Sequence, residues 1–163
     1  MKTLLIVWHS RTGGARSMAQ AATEGAAREP QTFTRLLRAE AAQPVDLLAA
    51  DGYLFVAPEN HAAHSGAMKE FFDRTYYPVL DRIQGRPYAA MICAGSDGTG
   101  AARQIARIAT GWRLRPVAEP LIVCTHAQTP EAILSEKHLS PEDLAPCGEL
   151  GEALAAGLAL GVF

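Results

Sequence analysis

The sequence of 163 residues predicts a single α/β domain, covering residues 1–163, in which a parallel sheet carries helices on both faces. Three observations predict it. Short runs that are apolar throughout, as strands buried on both faces require, alternate with helical patterns along the chain. The runs are followed by Gly, Asp, Asn or hydroxyl residues, which mark turns. No linker or internal repeat interrupts this order, so right-handed crossovers would place the strands in one doubly wound sheet.

The first half of the chain contains three predicted strands. Residues 4–8 form a buried strand, and a helical pattern with small apolar residues follows over 17–28. Residues 32–37 alternate loosely, which indicates a short strand near an edge of the sheet. Residues 44–50 favour a helical turn that begins at a proline, and 53–57 form the second buried strand.

The second half repeats the alternation. We expect a polar loop at 58–65, a helix over 66–77 that Pro78 stops or kinks, and a buried strand at 88–94. A glycine-rich loop follows at 95–100. The remaining predicted elements are a helix at 101–112, a strand at 117–124, an irregular connection at 125–141 and a final helix that begins within 141–148.

Composition limits the function classes. The formal net charge is -2, so no basic face dominates and we expect no nucleic-acid partner. The apolar stretch at 153–163 is too short to span a bilayer as a helix. Lys2 is followed by only a short apolar run, so we expect no secretory signal, and the three cysteines lack C-x-x-C spacing. We therefore expect a cytoplasmic protein with no membrane partner, whose thiols stay reduced.

Three loops with unusual chemistry leave the carboxyl ends of the predicted strands, where doubly wound sheets bind ligands. They are residues 10–15, 58–65 and 95–100. The first has hydroxyls and two glycines directly before a helix, where free N–H groups and the helix dipole favour an anion. This arrangement predicts a phosphate cradle, although an ordinary capped turn has the same composition.

Other motifs point to weaker alternatives. The spacing in 95–100 is G-x-x-G-x-G, which differs from the G-x-G-x-x-G of dinucleotide-binding folds. A serine hydrolase built on Ser10, with His9 and Asp97, lacks the G-x-S-x-G elbow. Three histidines fall near strand ends, but no carboxylates are spaced to support a metal site, so we predict none: His9, His61 and His126.

Together these segments resemble the flavodoxin-like superfamily, and more closely its NAD(P)H-dependent FMN reductase branch. Ser10-Arg11-Thr12-Gly13-Gly14-Ala15 is similar to the phosphate loop [ST]-x-T-G-x-T, with Ala15 in place of the last hydroxyl. Residues 51–61 and 65–74 resemble the third strand, flavin loop and following helix of the reductases, and Gly95-Ser96-Asp97-Gly98 resembles the loop on the other side of the flavin. The resemblance implies a five-stranded sheet of order 2-1-3-4-5.

The resemblance also implies FMN as cofactor and assigns its contacts. The phosphate would be held by Ser10, Arg11, Thr12, Gly13, Gly14 and Ala15. The ring would be lined by Pro58, Glu59, Asn60 and His61. Gly95, Ser96, Asp97 and Gly98 would lie on the pyrimidine side, where N–H groups at a helix start can stabilise negative charge on the flavin. No catalytic side chain is nominated, because the cofactor carries the redox chemistry.

The implied function is an oxidoreductase that takes hydride from NAD(P)H and reduces a small acceptor, such as a quinone, an azo or nitro compound or free flavin. Two alternatives stay open: a flavodoxin-like one-electron carrier, and a catalytically silent FMN-binding module. The balanced charge and the lack of a Trp or Tyr in the flavin loop favour the reductase. We also expect a homodimer or larger assembly, in which a neighbouring subunit completes the flavin site through Tyr76, Tyr77 and Trp112.

Overall fold

The computed structural model describes all residues, Met1 to Phe163. The elements of the first half are β1 (Lys2–Trp8), α1 (Gly14–Ala26), β2 (Thr32–Arg38), α2 (Pro44–Ala49) and β3 (Gly52–Asn60). Those of the second half are β4 (Ala63–His64), α3 (Gly66–Val79), β5 (Pro87–Ala94), α4 (Thr99–Gly111), β6 (Arg115–Pro116), β7 (Leu121–Cys124), α5 (Pro130–Leu134) and α6 (Pro141–Leu160).

The sheet has the order β2-β1-β3-β5, and β6 and β7 both pair with β5 on its other side. All of these pairs are parallel, whereas β4 forms a two-residue antiparallel hairpin with β3. The predicted order is therefore confirmed, with β6 and β7 sharing the fifth position. The predicted number of strands is wrong, because the sheet has seven.

The last predicted strand, 117–124, is wrong in its first half, since β7 covers only Leu121–Cys124 and the short β6 ends before residue 117. Pro116 and Pro120 have no N–H group to donate to a ladder, so the pairing stops after β6 and resumes at β7. The Val117 N–H still donates to the Tyr88 carbonyl over 3.0 Å. The predicted loop at 58–65 is also corrected, since β3 continues to Asn60 and turns back into β4.

The helices differ from prediction mainly at their ends. α3 passes through Pro78 and ends at Val79, because a proline in the last turn removes only one hydrogen bond from the helix. The connection predicted as irregular at 125–141 contains the five-residue helix α5. α6 begins at Pro141, where the Ser140 hydroxyl accepts a hydrogen bond from the Asp143 N–H over 3.1 Å.

Two apolar layers enclose the sheet. α1 and α6 cover one face, and α2, α3 and α4 cover the other, as the doubly wound prediction requires. α1 and α6 also pack against each other so closely that a Cβ at Gly25 would meet the Gly148 carbonyl, and one at Gly151 would meet the Ala22 carbonyl. None of the helices combines the length and apolar character needed to cross a membrane.

Candidate functional site

The carboxyl ends of β1, β3 and β5 meet at one edge of the sheet, where a cavity of about 100 Å³ lies. Gly13 lines a neighbouring cleft, and His61 lines another. Ser96, Asp97 and Gly98 line none of these. The predicted site residues around the central cavity come from all three loops: Ser10, Arg11, Thr12, Gly14, Ala15, Pro58, Glu59, Asn60 and Gly95.

The loop between β1 and α1 is held in a tight turn by its own hydrogen bonds. The Ser10 hydroxyl accepts from the Gly13 N–H over 2.9 Å, and the Ser17 hydroxyl donates to the Gly13 carbonyl over 3.0 Å. Gly13 has a φ of 102°, a conformation that residues with a Cβ rarely adopt. Gly14 is required for a different reason, since a Cβ there would meet the Cys93 sulfur.

This turn leaves the first N–H groups of α1 without partners. The N–H groups of Gly14, Ala15 and Arg16 make no hydrogen bond within the protein, and no acidic residue lies in the first turn. Unpaired donors and the positive end of the helix dipole both favour an anion at this position. We call residues 10–16 the cradle.

Cations surround the cradle. Two of its own residues, Arg11 and Arg16, have exposed side chains, and neither forms an ion pair with a carboxylate. Lys137 reaches it from the other end of the chain, with its Nζ 3.4 Å from Thr12 Oγ1. Glu136 lines the cleft beside the cradle as well, so three cations face one carboxylate there, although the chain as a whole carries a formal net charge of -2.

Lys137 belongs to a segment that sequence reasoning did not identify as functional. We call residues 129–137, which include α5, the strap. The Thr129 hydroxyl caps α5 by accepting from the Ala132 N–H over 3.2 Å, and no residue of α5 is buried. Ile133, Leu134 and Lys137 line the central cavity, so the strap lies over the edge where the three loops meet. The only sequence signals are Thr129-Pro130, typical of a helix start, and a single lysine.

The loop after β5 is arranged differently from the expectation. The Glu59 carboxylate accepts from the Gly98 N–H over 2.9 Å and from the Ala101 N–H over 3.1 Å. The donors expected to face the flavin at the start of α4 are therefore already occupied by a carboxylate. Asp97 binds Thr99 on the exposed surface, and of the four predicted residues only Gly95 lines the cavity.

The turn between β3 and β4 consists of His61 and Ala62, with φ of 53° and 62°. Left-handed conformations at both central positions are typical of a type I′ hairpin, which usually contains Asn or Gly. His61 is exposed at this turn, whereas His64 is buried behind it against the Phe72 ring. Burial lowers the pKa of His64 below 6.5, so this side chain is neutral at pH 7.

His9 bonds to a residue outside the weak hydrolase alternative, which combined it with Ser10 and Asp97. Its Nδ1 lies 2.8 Å from the hydroxyl of Ser65, which is buried at the start of α3. Burial lowers the pKa of His9, although the nearby Glu40 carboxylate acts in the opposite direction. His9 thus connects the end of β1 to α3. No group of three or more His, Cys, Asp or Glu side chains is placed to hold a metal ion.

Cys93 lines the cavity as a neutral thiol. Burial raises its pKa to about 11, so it is not a thiolate at pH 7. Cys93 is thus a buried, unreactive thiol, whereas Cys124 is only half-buried. Trp112, offered as an interface residue, is buried and donates its indole N–H to the Tyr76 carbonyl over 3.0 Å.

Comparisons with known proteins agree with this architecture. A family model described as NADPH-dependent FMN reductase matches residues 41–128, which include the predicted contacts at 58–61 and 95–98. A flavodoxin from Aquifex aeolicus (strain VF5) is 33% identical over 100 residues, covering 61% of this chain and 54% of that protein. The chain thus matches about half of the length of that relative.

Solved structures show the same fold. A flavodoxin from the domain Archaea has a TM-score of 0.76 at 17% identity, covering 96% of this chain and 98% of that chain. A WrbA-like flavodoxin from Agrobacterium tumefaciens has a TM-score of 0.69 at 18% identity, covering 99% of both chains. The resemblance inferred from the sequence is confirmed. Since the family model matches more than half of the residues, the chain belongs to the NADPH-dependent FMN reductase family and has the flavodoxin-like fold.

Proposed function

We propose that the protein is an FMN-dependent oxidoreductase that takes hydride from NAD(P)H and reduces a small acceptor. The observation that carries the proposal is the cradle, where three N–H groups at the start of α1 have no partner within the protein and the first turn of the helix contains no acidic residue. A phosphate monoester such as that of FMN matches these donors in charge and in hydrogen-bonding capacity. The family to which the chain belongs supports FMN over other phosphate esters.

Within this proposal the cradle residues have separate roles. The N–H groups of Gly14, Ala15 and Arg16 would bind the phosphate, with the Thr12 hydroxyl and the charge of Arg11 beside them. Ser10 keeps the turn in shape by accepting from the Gly13 N–H, and its own O–H stays free to donate to a phosphate. Ala15 offers no hydroxyl, so the backbone supplies the contact there.

The remaining proposed contacts lie around the same cavity. Pro58, Asn60 and Gly95 line it from the ends of β3 and β5 and would orient the ring. When bound, FMN would accept hydride from NAD(P)H and pass electrons to a quinone, an azo or nitro compound or free flavin. The chain needs no acid or base for that transfer. Its own residues bind and orient the two substrates.

The second candidate function is a one-electron carrier that docks on redox proteins. The identity to an Aquifex flavodoxin favours it. Against it stands the nearly balanced surface, which lacks the strong net charge that steers a carrier to its partner. The two functions differ in whether NAD(P)H reacts directly with the holoprotein.

Stopped-flow mixing of the FMN-loaded protein with NADH or NADPH tests the proposal. We expect direct loss of the flavin absorption band near neutral pH, followed by its return when a quinone is added. Bleaching only in the presence of a separate reductase would identify the carrier. A protein that binds FMN and shows no redox change by either route would be a silent binding module, and failure to bind FMN at all would contradict each of these functions.

A further inference from the structure

The hydrogen bonds between the strap and the rest of the protein all go to one residue of the cradle, Thr12. Residues 129–136 form hydrogen bonds only with other residues of the strap, including Lys137. Lys137 in turn donates from its N–H to the Thr12 carbonyl over 2.8 Å and from its Nζ to the Thr12 hydroxyl. The strap position therefore depends on the loop that we propose binds phosphate.

The ammonium group of Lys137 has neutral partners only. It donates to the carbonyls of Ile133 and Ser135 over 2.8 and 2.6 Å, where it caps the end of α5. No carboxylate pairs with it. A phosphate in the cradle, next to Thr12, would be a stronger acceptor than any of these groups because it carries charge.

The strap separates the spaces of the site, because Leu134 lines the central cavity and both adjoining clefts. The cavity of about 100 Å³ is below the roughly 300 Å³ at the lower end of small-molecule pockets. A whole flavin does not fit in this cavity alone and would extend into the two adjoining clefts of about 360 Å³ each, which Leu134 of the strap also lines. The strap has no buried residue in α5 and no further hydrogen bond to the rest of the protein, so displacing it costs little free energy.

We propose that Lys137 is a phosphate-binding residue, which the strap delivers to the cradle after the ligand enters. The strap swings outward to admit FMN and returns when the ammonium finds the phosphate dianion. Lys137 then selects phosphorylated over unphosphorylated flavin. This inference deepens the proposed function and rests on the cradle as the FMN phosphate site.

Fluorescence titration of the apoprotein with FMN and riboflavin tests the role of Lys137. We expect Lys137→Gln to weaken FMN binding by about ten- to a hundredfold and to leave riboflavin binding unchanged, because only a charged hydrogen bond is lost. Lys137→Arg keeps the charge and should retain most of the preference. Lys2→Gln, at the opposite edge of the sheet, is the matched control. An unchanged preference for FMN in Lys137→Gln would overturn the inference and leave the proposed function standing.

Hydrogen exchange with inorganic phosphate gives an independent test of the strap. Millimolar phosphate should slow amide exchange in residues 131–137 of the parent and not in Lys137→Gln. Protection in the parent would support the inference even if no flavin bound, in which case the proposed function alone would fail. Exchange that is equal with and without phosphate in the parent would overturn it.

Discussion

At the scale of single residues, the carboxyl edge of the sheet combines one buried histidine, His64, with backbone strain. His61 and Ala62 adopt left-handed conformations, which cost about 1–2 kcal/mol for each residue with a Cβ. The β3–β4 pairing keeps them there, together with the packing of the Ala62 carbonyl against Gly100. Strain of this kind is common next to binding sites.

We expect the free energy of unfolding to fall as the pH drops below about 6.5. Burial lowers the pKa of His64 in the folded state, so the unfolded chain binds more protons in acid. The stabilising effect of a neutral His64 is complete above the unfolded pKa and is lost as pH falls through and below it. One histidine contributes at most about 1.4 kcal/mol per pH unit. Urea unfolding at pH 7.5 and at pH 5.5 measures this effect. Between these two pH values, the free energy of unfolding should fall less in His64→Asn than in the parent.

His138 is exposed, so His138→Asn is the control for this measurement. Its free energy of unfolding should change with pH as it does in the parent. His9, whose pKa burial lowers as well, would still contribute a slope of the same sign in His64→Asn. Equal slopes in the parent and in His64→Asn would contradict the assignment to His64.

At the scale of elements, the contact between α1 and α6 depends on glycine. A Cβ at Gly151 would meet the Ala22 carbonyl, and a backbone atom in a helix cannot move aside as a flexible side chain does. We expect Gly151→Ala to lower the free energy of unfolding by about 1–3 kcal/mol, the usual cost of overpacking. Urea unfolding measures this change.

Gly66→Ala is the matched control for the α1–α6 contact. A Cβ at Gly66 would have no neighbour within 4 Å, and alanine favours a helix more than glycine. This variant should be as stable as the parent or up to about 1 kcal/mol more stable. A Gly151→Ala variant as stable as Gly66→Ala would contradict the prediction, because α1 and α6 would then accommodate the added methyl group without cost.

At the scale of the whole molecule, the oligomeric state remains a prediction. The Tyr77 side chain is 78% exposed at the end of α3, and its ring lies 5.2 Å from that of Tyr76. Trp112 cannot contribute because it is buried. We expect light scattering to detect a homodimer that Tyr77→Ser weakens, while Phe33→Ser, which removes another exposed aromatic side chain, on β2, leaves it intact. A fully active monomer at working concentration would contradict the prediction.

Most of the architecture could be predicted because its signals are local. Runs such as 53–57 and 88–94 are apolar throughout, and the residues that follow each strand mark the site edge. What the sequence did not indicate involves residues far apart in the chain. Glu59 caps α4 across 39 positions, and Lys137 meets Thr12 across 125. Neither contact leaves a periodic pattern or a spacing that could be recognised.

The placement of the strap outside both apolar layers has a consequence for how such a protein can be altered. None of its α5 residues is buried, so insertions or substitutions there leave the folded domain intact. The cradle, in contrast, is fixed by Gly13 and Gly14 and by the Cys93 sulfur behind them. Ligand preference can therefore be redesigned in the strap by exchanging one short surface segment, with the stability of the scaffold held constant.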